Sequence, residues 1–393
     1  MNILIIGGTG VLSSAVAAES IKQGIDVTIL NRGRRKVPEE IELIKADKDD
    51  HKAITMALTG RRFDAIMDFL CSDAEDVTSS FLLYKKYTNH YFFISSCAVY
   101  HTKNIKPCKE DSPKIQSEWE YSIRKWIAEC KLNKLANKSD THITIIRPCI
   151  TYDNTRIPYG ISPKYGYHWT LAARMLAGKP IIRWNGGNNV CNMMRVEDFA
   201  VGITGLIGNP QAYGEALNIC GDETPSFNEV LEIVGNYLGV KPIFFDITSE
   251  EYARELPDRA GEILGGRSVD TIICNDKIKK IVPQFKQTIG IKDGITKTLD
   301  AYIAQNYQNG IDWKFDAETD RIILNKCKRD RKDSSLYNIG FVDYFGNATS
   351  SDYNIYDKEF NKPAAALRKE RIIRKIKNII RKILLLLNGY PVK

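Results

Sequence analysis

Ser96, Tyr121 and Lys125 have the side-chain types that can move a proton on or off a carbinol. Tyr121 and Lys125 stand four residues apart, so a helix that carries them presents both on one face. A free phenol titrates near 10 and is a poor base at neutral pH. A nearby ammonium favours the phenolate, and the hydroxyl of Ser96 can hold a substrate oxygen beside it. Together they suit a carbon that gives its hydride to a nicotinamide. A Tyr-x-x-x-Lys pair also occurs on ordinary amphipathic helices, so its weight depends on the elements that place it.

The chain opens with Asn2 to Ile6, an Ile- and Leu-rich run that reads as a strand buried on both faces of a parallel sheet. Gly7-Gly8-Thr9-Gly10 follows, and then helical spacing runs from Val11 to Gln23, closed by Gly24. Strand, glycine turn and helix in this order aim backbone N–H groups and the helix's positive end at one spot, which binds a pyrophosphate. Gly7, Gly10, Val11 and Leu12 are the expected ligands, and Ser13 stands where a third glycine would. Further strand-like runs at Asp26–Leu30, Glu42–Ala46, Asp64–Leu70, His90–Ser95 and Thr141–Arg147 alternate with helical ones. The alternation predicts an α/β protein with a doubly wound parallel sheet of the Rossmann type, its ligands at the carboxyl ends of the strands. Ser95 and Ser96 end one of these strands, and both hydroxyls are expected in the cleft.

At the end of the second strand, Asn31 and Arg32 replace the acid that holds a ribose in an NAD-binding unit. A guanidinium there favours a 2′-phosphate, so the expected cofactor is NAD(P), leaning to NADP. Asp47, after the third strand, can reach the adenine edge. The alternative is that the arginines form a solvated loop and that Asp47 is an exposed turn carboxylate.

Nine cysteines are scattered and never spaced as CxxC, which reads as buried reduced thiols and no metal site. The first residues lack the basic start of a signal peptide, so the expected location is cytoplasmic. The net charge of +8 comes from the far end: from Pro363 onward there are nine Lys/Arg and one Glu, which leaves residues 1–362 neutral. In that segment Ile372, Ile373, Ile376, Ile379, Ile380, Ile383 and Leu387 form one helical stripe among Arg and Lys. Such a helix, over 363–388, suits contact with the inner membrane surface, a site on the protein itself or a second subunit in a homodimer. Nucleic acid is the least favoured partner. Its apolar run is too short to span a bilayer.

The motifs GGTGVLSS (7–14), LNRG (30–33), ISSCAVY (94–100), EDSP (110–113), YSIRK (121–125) and IIRP (145–148) resemble those of the extended short-chain dehydrogenase/reductase superfamily, its nucleotide-sugar epimerase and dehydratase group. MRVEDFA (194–200) and LNICGDETPSFNEVLEIVGNYLG (217–239) are similar to its later signatures, and the resemblance covers about residues 1 to 306. It implies that Tyr121 is the catalytic base, Lys125 its partner and a ligand of the nicotinamide ribose, and Ser96 the group that orients the substrate. It implies a dinucleotide-binding core over 1–180 and 195–220, and a smaller substrate lobe from 149–195 and 222–308. Beyond it lie an extension of unassigned role over 309–362 and the basic helix of 363–393. Tyr152, in a Pro-, Gly- and Tyr-rich loop that suits a lid, and Arg195 are the expected substrate ligands. Dehydratases of the group carry an acid pair after the catalytic hydroxyl, where this chain has Cys97 and Ala98. A nucleotide-sugar 4-epimerase or 4-reductase is therefore expected. The rival reading is a cofactor-sensing or RNA-associated binding protein without catalysis.

Overall fold

Seven parallel strands form the central sheet of the computed structural model, which describes residues 1–102, 105–114, 119–307 and 309–387. The strands are β1 (Asn2–Ile6), β2 (Asp26–Asn31), β3 (Glu42–Lys45), β4 (Ala65–Asp68), β5 (His90–Ile94), β6 (His142–Pro148) and β10 (Ala216–Ile219). The other four lie outside this sheet: β7 (Ile150–Tyr152) pairs with β9 (Met193–Arg195), and β8 (Ile181–Trp184) with β11 (Phe244–Ile247). The order across the main sheet is β10-β6-β5-β4-β1-β2-β3, with Ile5 of β1 beside Ile29 of β2 and Met67 of β4. The strand order reverses between β1 and β4, which opens a crevice above their carboxyl ends.

Helices α1 (Val11–Lys22), α2 (His51–Leu58), α3 (Ala74–Tyr84), α4 (Glu120–Ala136), α5 (Trp169–Leu176) and α6 (Val196–Thr204) follow the strands in turn. Val16 and Ala17 of α1, with Phe199 and Ile203 of α6, cover one face of the sheet. Val77 and Phe81 of α3, with Ala128 and Leu132 of α4, cover the other. Burial on both faces explains why these strands read as unbroken Ile, Val and Phe runs rather than alternating ones.

The remaining helices are α7 (Phe227–Leu238), α8 (Ser249–Glu255), the single turn α9 (Ala260–Glu262), α10 (Asp276–Ile281), α11 (Ile291–Ala304), α12 (Trp313–Asp330), α13 (Ser350–Phe360) and α14 (Ala364–Leu387). A capping box opens α7, with Ser226 and Glu229 exchanging hydrogen bonds. The extension after residue 309 is not a separate body. Trp313, Ile323 and Cys327 of α12 and Tyr356 of α13 share one core with Trp169, Trp184 and Phe227 of the lobe. Residues 388–393 of the expected terminal helix, the boundary residue 308, and the side chains of Arg381, Lys382 and Leu387 lie outside the described residues.

Two histidines are built into the interior. Burial foremost lowers both His90, whose ring bonds to Thr144 Oγ1 at 2.7 Å, and His168 from 6.5 to about 3. The unfolded chain takes up both protons near 6.5 and the folded chain only near 3, so stability is complete above 6.5 and falls as the pH drops below it. The expected loss is about 1.4 kcal/mol per ring for each pH unit over that window. Urea unfolding at pH 7, 6 and 5 measures it, and equal stability at all three would refute it.

Candidate functional site

The turn after β1 is shaped for an anion. Gly7 and Gly8 have φ of +108° and +72°, and a Cβ on Gly8 would lie 2.6 Å from the side chain of Ile29. No acid stands in the first turn of α1, so the positive end of the helix is unopposed. Ser13 has a task that a third glycine could not perform: its Oγ accepts the N–H of Gly10 at 3.0 Å. Gly7, Gly10, Val11, Leu12 and Ser13 all line one cleft of about 1850 Å³ above the sheet. A dinucleotide's pyrophosphate fits this cradle.

Next to it, Asn31 works within the fold as well as lining the cleft. Its Nδ2 donates to Gly7 O at 2.9 Å, and its Oδ1 accepts the N–H of Gly33 at 2.7 Å, which ties the ends of β1 and β2 together. Arg32 and Asp47 both line the cleft and face each other, with Nη1 3.9 Å from Oδ2, and both are about half exposed. Sequence reasoning passed over Arg34 and Arg35 as ligands, yet both line this part of the cleft. Arg35 Nη1 donates to Thr9 O at 2.7 Å, which holds a second cation over the glycine turn.

The hydroxyl, phenol and ammonium all line the same cleft farther along. Ser96 caps the short turn Cys97–Val99, its Oγ accepting the N–H of Ala98 at 3.1 Å, and it also hydrogen-bonds with Tyr121. Lys125, one helical turn on, donates to Cys71 O at 2.6 Å and to Ile94 O at 2.8 Å. Two of its three ammonium donors thus bind backbone carbonyls at the ends of the strands. Burial is the largest influence on both groups. It pushes the Tyr121 phenol up, against the opposing effect of the Ser96 hydrogen bond, and pushes the Lys125 ammonium down. Within the fold the phenol therefore moves away from the phenolate that the Tyr-Lys pairing suggested, because burial outweighs the favourable contacts.

Three expectations about this cleft need correcting. Ser95 borders the cleft beside Ser96, but its hydroxyl turns away: the Oγ donates to Glu129 at 2.5 Å, because adjacent residues of extended chain point to opposite sides. Tyr152 and Arg195 do not line the cleft at all. Tyr152 is fully buried, and Arg195, 1% exposed, stacks over its ring at 5.5 Å. The guanidinium donates to both oxygens of Glu197 at 2.9 and 2.6 Å and to Asn154 Oδ1 at 2.8 Å, and its Nη1 donates to Thr298 Oγ1 at 3.2 Å. So paired, Arg195 props the lobe against α11.

Other groups form the far end of the cleft. Arg156, Arg259 and Arg267 line it, with Trp119 stacked between Tyr121 at 5.3 Å and the Arg267 guanidinium at 5.5 Å. Arg156 lies in the expected lid loop, but Arg259 and Arg267 flank a short irregular turn and belong to no motif or period. The packing of Gly266 against Trp119, with Arg267 over the same ring, brings that turn to the start of α4. The extension also reaches the cleft, through Asp312, Lys314, Phe315 and Glu318 at the start of α12.

A family model described as "NAD dependent epimerase/dehydratase family" matches residues 3–220. The chloroplast stem-loop binding protein of 41 kDa b from Arabidopsis thaliana is 26% identical over 242 residues, which are 58% of this chain and 60% of that protein. UDP-arabinose 4-epimerase 1 of the same plant is 26% identical over 176 residues, 37% of this chain and 42% of that one. The matches thus span three fifths or less of these relatives' own lengths. Among solved structures, the UDP-glucose 4-epimerase of Thermotoga maritima with UDP-glucose superposes with a TM-score of 0.62 at 17% identity, over 78% of this chain and all of that one. At that identity the likeness is one of fold.

Proposed function

Because the chain belongs to the NAD dependent epimerase/dehydratase family, we propose that it is an oxidoreductase or isomerase acting on a sugar carbinol, most simply a nucleotide-sugar 4-epimerase or 4-reductase. The observation that carries this reading is the Ser96–Tyr121 hydrogen bond in the cleft that also holds the glycine turn and Lys125.

The turn residues and α1 would hold the pyrophosphate, and Lys125 the ribose beside the nicotinamide. A bound nicotinamide would supply the hydride acceptor and donor. Ser96 holds the substrate oxygen next to the phenol. When the carbinol is oxidised, Tyr121 takes its proton; when the ketone is reduced, Tyr121 returns it. Burial that raises the phenol keeps it protonated at neutral pH, which serves the second of these steps. Trp119 and the Arg156, Arg259 and Arg267 side chains bound the space where the rest of the substrate lies. Cys97 and Ala98 stand where a dehydratase has its acid pair, which supports an epimerase or reductase.

NADP is the preferred cofactor in this reading, with Arg32 beside the 2′-position. Arg32→Ala is expected to weaken NADP binding about tenfold, the effect of one lost charge-assisted phosphate contact, and to leave NAD unchanged. Calorimetry with both cofactors distinguishes them, and an equal loss for each would remove Arg32 from that role.

The direct test is to denature the purified protein, identify any released dinucleotide, and offer UDP-, GDP- and dTDP-sugars. Absence of turnover with supplied NAD and NADP would overturn the reading. It would also favour the rival, an RNA-associated or cofactor-sensing member, which draws on the 26% identity to a stem-loop binding protein.

A further inference from the structure

We propose that α14 lies in the surface of an anionic membrane and holds the protein there, an interaction independent of the sugar chemistry. The start of the helix, to Arg371, is docked on the protein itself: Leu367 is 2% exposed, and Arg371 Nε donates to Arg254 O at 2.8 Å. Beyond it the apolar stripe has no such cover. Ile372, Ile373, Ile376, Ile379, Ile380 and Ile383 are each 42–58% exposed. At 100° per residue they occupy about 120° of the helix surface, along about 16 Å of its axis.

The charge around the stripe selects what covers it. Residues 371–387 hold six Lys/Arg and no acid, while residues 1–362 carry no net charge. A second copy of the helix would bring the same six cations against these, with no acid in either copy of residues 371–387 to pair them. A nucleic acid would meet the cations but leave six isoleucines in water. An anionic bilayer satisfies both, since its acyl boundary takes the stripe and its headgroups take the Lys and Arg side chains. The helix lies in the surface rather than through it, because no described helix is long and apolar enough to cross a membrane.

The test uses the full-length protein and sedimentation with phosphatidylcholine vesicles, either pure or with about a third phosphatidylserine. Binding to the anionic vesicles is expected to exceed binding to the neutral ones by at least about tenfold. The double variants Ile376→Asp/Ile380→Asp and Lys375→Glu/Lys377→Glu should each reduce it by about tenfold or more. These four side chains are exposed and lie outside the cleft, so cofactor retention and turnover should match the unaltered protein. Turnover without vesicle binding would thus sink this proposal alone, and vesicle binding without turnover would sink only the enzymatic reading. The proposal is overturned by equal sedimentation with both vesicles, or by variants that bind as well as the parent. It is also overturned by a vesicle-free dimer that Ile376→Asp/Ile380→Asp dissolves, or by RNA binding that depends on the lysines and not on the isoleucines.

Discussion

Tyr121→Phe is expected to lower kcat by ~10²–10⁴-fold, the usual worth of a positioned acid or base. The ring that packs beside Trp119 remains, and only the oxygen that hydrogen-bonds to Ser96 is lost. Cofactor affinity and melting temperature should therefore be unchanged, which separates a chemical role from a structural one. Lys125→Ala makes the contrast. Its ammonium also joins Cys71 O to Ile94 O, so its removal should lower both turnover and stability. Turnover of Tyr121→Phe within about threefold of the parent would end the assignment of the phenol as the proton carrier.

The second large effect is on stability. Arg174 and Lys179 of the lobe face Asp316 and Asp320 of α12, and all four side chains are fully buried. Arg174 lies 2.5 Å from Asp316 and 2.9 Å from Asp320, and Lys179 lies 2.6 Å from Asp320. Tyr356 Oη and the Gly340 N–H also donate to Asp320, at 2.5 and 3.0 Å. Two cations balanced by two carboxylates can be buried because each charge is paired and hydrogen-bonded. Asp320→Ala would leave two buried cations sharing one acid, and a phenol and an amide without their acceptor. The expected cost is about 3–5 kcal/mol, read by urea unfolding. Lys22→Ala, which breaks an exposed pair with Glu19, should cost less than about 1 kcal/mol. A loss below about 1 kcal/mol for Asp320→Ala would mean that this cluster does not clamp the extension to the lobe.

The central sheet was legible because its signals are local. Buried parallel strands are continuous apolar runs, and β1, β2 and β5 lie within a residue of where those runs fall. The glycine turn and the Tyr121–Lys125 pair were equally readable, since four-residue spacing on a helix and a turn with positive φ are properties of a few adjacent residues. Arg195 misled for the opposite reason. Its position in a motif does not reveal Asn154 and Thr298 closing around it from two other segments. Nor could the unassigned extension over 309–362 reveal that α12 starts as a cleft wall and continues as half of a buried ion cluster.

By itself, then, the amino-acid sequence determined the parallel sheet, the glycine turn, the Ser96, Tyr121 and Lys125 set and the basic amphipathic end, because period and neighbouring residues specify each of them. Tertiary structure alone decided which arginines face the cleft and which are consumed in the core, that Ser96 and not Ser95 meets the phenol, and that the extension completes the lobe. Those outcomes depend on partners far apart in the chain. Whether a polar side chain is free to meet a ligand depends on which of those partners reach it once the chain has folded.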